Sequence, residues 1–86
     1  MNITKGDLLT INNNKYITLE ILKYEGENYA LVGEVTNEDK ITDEFYIFKL
    51  INNNIEIVVD NNLKNILITK FEELLKDDIK NIANEI

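Results

Sequence analysis

The chain is expected to fold as an α+β domain, an antiparallel meander of about five strands over residues 1–60 packed by a C-terminal helix over 61–86. Three observations predict it. β-Branched and aromatic residues dominate as far as Asp60, tight-turn residues interrupt them at short intervals, and from Asn61 the apolar residues adopt a helical spacing. With 86 residues and no Pro- or Ser-rich linker, one domain spanning 1–86 is expected.

The first strand covers Asp7 to Ile11 and ends at Asn12-Asn13-Asn14, because Asn tolerates the left-handed backbone of a tight turn. From Tyr16 to Leu22 the apolar Ile17, Leu19 and Ile21 alternate with Thr18 and Glu20, the pattern of a half-buried strand. The adjacent Ile21 and Leu22 break that alternation, which places a bulge there. Tyr24-Glu25-Gly26-Glu27-Asn28-Tyr29 sets a Gly-containing turn between two aromatic strand residues, so the second and third strands form a hairpin.

Tyr29, Leu31, Gly33 and Val35 share one face of the third strand, and Gly33 marks a bend or a close approach of another segment. A polar loop is expected from Thr36 to Asp43. The run Phe45 to Ile51 is apolar on both parities, as in a central strand covered on both faces. Asn52-Asn53-Asn54 repeats the first turn and leads into Ile55 to Val59. Leu63, Leu67, Phe71, Leu74, Ile79, Ile82 and Ile86 then mark one face of a helix that Asp60 caps. Asp77 and Asp78 suit a helix N-terminus better than a C-terminus, so a break near Asp77 is expected.

Composition excludes much chemistry. There is no Cys and no His, which removes thiolate nucleophiles, the commonest general base and the usual transition-metal ligands. No catalytic, cofactor or metal constellation is expected, and so no enzyme. Glu38-Asp39-Lys40-Ile41-Thr42-Asp43-Glu44 offers oxygen ligands but lacks the Gly and the spacing of a calcium loop. The net charge of −7 repels a phosphate backbone, so direct nucleic-acid binding is not expected. No uncharged stretch is long enough for a membrane span, and MNITKGDLLT lacks the layout of a secretion signal, so a cytoplasmic protein is expected. Ile, Asn and Lys fill 37 of the 86 positions, a bias toward AT-rich codons that points to a low-GC bacterium or its phage.

Leu22-Lys23-Tyr24-Glu25-Gly26-Glu27-Asn28-Tyr29-Ala30-Leu31-Val32, an acidic loop, Phe45-Tyr46-Ile47-Phe48, a polar turn and a helix ending Phe71-Glu72-Glu73-Leu74-Leu75 together resemble the small acidic YrzB-like domain of low-GC Gram-positive bacteria. The resemblance spans roughly residues 15 to 76. It implies this order of elements and a bacterial origin. That family has no established activity, so the resemblance supplies no site residues. This chain departs from it in using Asn where members are richer in Asp and Glu at turns, and in the residues after Leu75.

The charge is unevenly placed. Residues 20–44 hold eight acids against Lys23 and Lys40, a net −6, whereas the other eight acids face seven lysines, a net −1. Gathered on one side or at one end of the sheet, Glu25, Glu27, Glu34, Glu38, Asp39, Asp43 and Glu44 would attract a basic protein partner. The same residues also serve a plain solubilising surface. The tyrosines with Phe45 and Phe48 are assigned to core and cross-strand packing rather than to base stacking.

Three functions stay open on the sequence. One is a non-enzymatic protein-binding or regulatory module acting through residues 20–44. Another is a phage or mobile-element DNA mimic, of anti-CRISPR or anti-restriction type, that occupies the groove of a basic nuclease. The third is a structural or homodimeric accessory protein acting through Ile79, Ile82 and Ile86.

Overall fold

The computed structural model describes residues 3–38, 40–52 and 54–84, with side chains as far as residue 76. Five antiparallel strands run in chain order, β1 (Leu8–Ile11), β2 (Asn14–Tyr24), β3 (Glu27–Val35), β4 (Ile41–Ile51) and β5 (Asn54–Ile57), followed by α1 (Asn61–Asn84). This is the predicted meander with one helix. The sheet, however, is more strongly curled than a simple layer and forms a half-barrel.

The turns follow from residues that accept a positive φ. Asn12 and Asn13 take φ of 50° and 69°, and Glu25 and Gly26 take 50° and 82°, so both hairpins have the left-handed pair that matches strand twist. Asn52, at φ 51°, begins the turn between β4 and β5.

Curling gives the sheet two apolar faces. On the concave face Tyr16, Ala30, Val32 and Phe48 are buried, and Leu9, Ile11 and Ile55 from the edge strands pack onto them. On the other face Tyr29 and Ile47 meet Leu67 and Phe71 of α1, with Val58 between and Leu22, Tyr24, Leu31 and Leu63 around them. Asp60 caps the helix as expected, its Oδ1 accepting the Asn62 N–H at 2.9 Å.

Four expectations are corrected. The β2 bulge lies between Thr18 and Glu20, not at Ile21-Leu22. With both faces apolar, Ile21 serves the concave cluster and Leu22 the helix side, and no bulge is needed to separate them. Second, the half-buried pattern of β2 is inverted: Thr18 is 1% and Glu20 7% exposed, whereas Ile17, Leu19 and Ile21 are only half-buried. Thr18 pairs with Val32 on the concave floor, and Lys5 Nζ meets the Glu20 carboxylate at 3.1 Å.

Third, β4 starts at Ile41 inside the expected loop, because Ile41 pairs with Val35 and the Thr36 N–H donates to the Lys40 carbonyl at 2.8 Å. The extra residues between Ile41 and Phe45 are absorbed as a bulge. Fourth, α1 is continuous through Asp77. That residue is well inside a helix ending at Asn84, and the macrodipole penalty on an acid is confined to the last turn.

Gly33 fills its expected role. A Cβ there would stand 3.2 Å from Ile41 Cγ2 and 3.5 Å from Phe45 Cε1, so the glycine lets both side chains settle over β3.

Candidate binding surface

The acids of residues 20–44 do not form one patch. β3 runs between the Glu25-Gly26 turn and the Thr36–Lys40 loop, and its nine residues at about 3.3 Å each set those two ends roughly 25–30 Å apart. Glu25 and Glu27 are exposed at one end, while Glu38, Asp43 and Glu44 are exposed at the other, with Glu34 half-buried beside them. Glu20 leaves the surface altogether. Asp39 lies outside the described residues, as do Ile86 and the side chains of Ile79 and Ile82.

The second end is organised by two threonines. Thr36 Oγ1 accepts the Glu38 N–H at 3.3 Å and the Lys40 N–H at 3.2 Å, which closes the loop around the hydroxyl. Thr42 Oγ1 likewise accepts the Glu44 N–H at 3.0 Å, inside the β4 bulge. Each glutamate thus stands two residues after a threonine that fixes its backbone. Lys40 reaches Glu38 at 3.8 Å, but both side chains are mostly exposed and the pair is weak. Carboxylates outnumber Lys15 and Lys40 at this end of the sheet.

Tyr46 reports the local field. Partial burial raises its phenol above the usual tyrosine range, and the carboxylates of Glu34 and then Glu44 raise it further, with a smaller effect from Tyr16. Two of the acids therefore act electrostatically on one ring at this end of the sheet.

An apolar groove of about 320 Å³ lies between β4, β5 and α1, lined by Leu31, Phe45, Ile47, Val59 and Ile68 among others, with Lys64 at its margin. The groove exists because β5 is short. Its pairing with β4 covers only Phe48 to Ile51, and one further bond from the Val58 N–H reaches the Ile47 carbonyl. Among the described residues the first half of β4 thus has β3 on one side and no strand on the other, and α1 covers the sheet elsewhere, through Leu63, Leu67 and Phe71. Phe45, Ile57, Val59 and Ile68 are left 54%, 52%, 79% and 41% exposed.

Comparison with known protein families, with curated proteins and with solved structures finds no match to this chain. Among the described residues no three acids come together at metal-ligand spacing. The aromatics do not form a stacking platform: Tyr16, Tyr29, Phe48 and Phe71 are buried, and Phe45 is the exposed ring. Among the described residues no helix is long and apolar enough to cross a membrane.

Sequence reasoning placed Phe45 in a central strand and missed the groove. The available signal was the mismatch between a long apolar β4 and the few residues left for β5 before Asp60.

Proposed function

We propose that this chain is a non-enzymatic binding module that engages a basic partner protein through the end of the sheet carrying Glu34, Glu38, Asp43 and Glu44. The observation that supports this most is the gathering of Glu34, Glu38, Asp43 and Glu44 at one end of the sheet, where Glu34 and Glu44 both raise the Tyr46 phenol. The Glu38 and Glu44 N–H groups donate to the hydroxyls of Thr36 and Thr42, which fixes the backbone of both glutamates and lowers the entropy lost when a partner docks. Glu25 and Glu27, at the far end, belong to the solubilising surface.

The test compares two multiple variants for binding to an immobilised lysine-rich peptide at low salt. Glu34→Gln, Glu38→Gln, Asp43→Asn and Glu44→Gln together are expected to abolish binding while Glu25→Gln with Glu27→Gln leaves most of it. Equal losses from the two variants would reduce the effect to net charge and remove the site. Binding that persists unchanged at high salt would remove the electrostatic reading.

A further inference from the structure

We propose that the groove between β4, β5 and α1 is a binding site for an apolar monocarboxylate of fatty-acid type, with its hydrocarbon tail against Phe45, Val59 and Ile68 and its carboxylate on Lys64. The site is separate from the acidic end of the sheet and does not depend on the partner proposed there. Phe45, Ile57, Val59 and Ile68 form an apolar wall that water covers in the isolated chain. The groove's volume of about 320 Å³ stands at the small end of ligand pockets, which run from about 300 to 1,000 Å³. An apolar cavity of about 150 Å³ takes a benzene ring, so this groove has room for a tail of about eight to twelve carbons.

Charge selects the head group. Lys64 is the one charged residue in the described lining. It is half-buried in the first turn of α1 and makes no ion pair among the described residues. Asp60, one turn before it, is held at the helix cap instead, its Oδ1 accepting the Asn62 and Leu63 N–H groups at 2.9 and 3.4 Å. A lysine stem lies along apolar surface while its ammonium stays toward water, so a carboxylate at the end of a seated tail meets that charge at the margin of the groove. The rest of the described lining is apolar apart from Tyr46, whose ring packs on Tyr16, on the opposite face of β4 from Phe45 and Ile47. A peptide would bring N–H and C=O groups against a wall with no further polar side chain to receive them, which costs affinity. A fatty carboxylate brings one polar group, and Lys64 answers it.

The experiment titrates the isotope-labelled full chain by NMR with octanoate, octylammonium, butanoate and N-acetyl-Leu-Phe, each below the concentration at which it self-associates. The net charge of −7 draws a cation to the chain without any site, so a preference for octanoate has to come from the groove. Octanoate is expected to bind about fivefold more tightly than octylammonium, and about tenfold more tightly than butanoate for its additional half-buried methylenes. Its amide shifts should fall on Phe45, Ile57, Val59, Lys64 and Ile68. Lys64→Gln should remove the preference for octanoate over octylammonium, while Val59→Ser, at the most exposed position of the wall, should weaken both alike. An unchanged spread of amide shifts elsewhere confirms that both variants fold. Octylammonium binding as tightly as octanoate, octanoate shifts that avoid the groove, or a Lys64→Gln variant that keeps the preference would overturn the proposal. Tighter binding of N-acetyl-Leu-Phe than of octanoate would give the groove to a peptide C-terminus, and a dimer in sedimentation that Val59→Ser dissociates would give it to a second copy. Either result overturns the fatty-carboxylate site.

Discussion

Tyr16 on β2 meets Phe48 on β4 edge to face, with ring centroids 5.2 Å apart, although β3 lies between their strands. Neighbouring strands are about 4.8 Å apart, so the two rings converge from backbones nearly twice that distance from one another. Ala30 and Val32 of the intervening strand are fully buried, and their small side chains leave room for the rings. Tyr46 joins the same cluster, 5.7 Å from Tyr16. The curl of the sheet is thus held by three aromatic rings contributed by two non-adjacent strands.

Phe48 is fully buried in that contact, and truncating it leaves a cavity that the curled sheet closes poorly. Phe48→Ala is expected to cost about 3–5 kcal/mol, and Phe48→Leu about 1 kcal/mol, in urea-induced unfolding. Similar costs for the two substitutions would mean that the sheet flattens rather than leaving a void.

Thr18 Oγ1 is buried with no hydrogen-bond partner among the described residues. A hydroxyl left unsatisfied in an apolar environment costs about 1–3 kcal/mol relative to solvation. Thr18→Val keeps the branched shape and removes the orphaned group. It is expected to stabilise the chain by about 1 kcal/mol in the same assay; a loss of stability would show that the hydroxyl is satisfied in solution, for example by a trapped water.

These two residues show where the sequence was legible. The aromatic-rich strands and the Asn and Gly turns identify the elements, since Asn12, Asn13 and Gly26 sit at the left-handed positions their chemistry allows. The face on which each residue falls was not legible in β2, because alternation implies one wet and one dry face whereas a half-barrel dries both. Thr18 therefore looked exposed, and Glu20 looked like part of an acidic surface when it is covered and paired with Lys5. The split of the acids between two ends follows from the hairpin topology, and was derivable by placing the turn at Glu25-Gly26 and the loop at Thr36 on opposite ends of β3. The groove depended on where the β4–β5 pairing stops, which local periodicity does not encode.

Glu25 holds a φ of 50° in the first central position of its hairpin turn, where Asn is the favoured residue before Gly. A side chain with a longer apolar stem gains nothing there from local hydrogen bonding to its own backbone. Glu25→Asn is expected to stabilise the chain by about 0.5–1 kcal/mol and to leave binding at the distant acidic end unchanged. A fall in peptide affinity with that substitution would show that the two acidic ends act together.

Tyr46 ties stability to alkaline pH. Its folded-state pKa lies above the ordinary value of 10.0, chiefly through burial and then through Glu34 and Glu44, so the folded chain keeps the phenol proton to higher pH than the unfolded chain does. This contribution is fully present below about pH 10, and is lost as the pH rises through the folded-state pKa, because ionisation then draws the equilibrium toward the unfolded chain. In a phenolate-absorbance titration one tyrosine, absent in Tyr46→Phe, should ionise above the ordinary range. Glu34→Gln and Glu44→Gln should each bring that transition down part of the way. Neither should restore the ordinary value, since burial acts first and survives both substitutions. If the two substitutions leave the Tyr46 transition unmoved, the carboxylates are too well solvated to be felt at the ring, and the acidic end of the sheet loses the field on which the proposed preference for a basic partner depends.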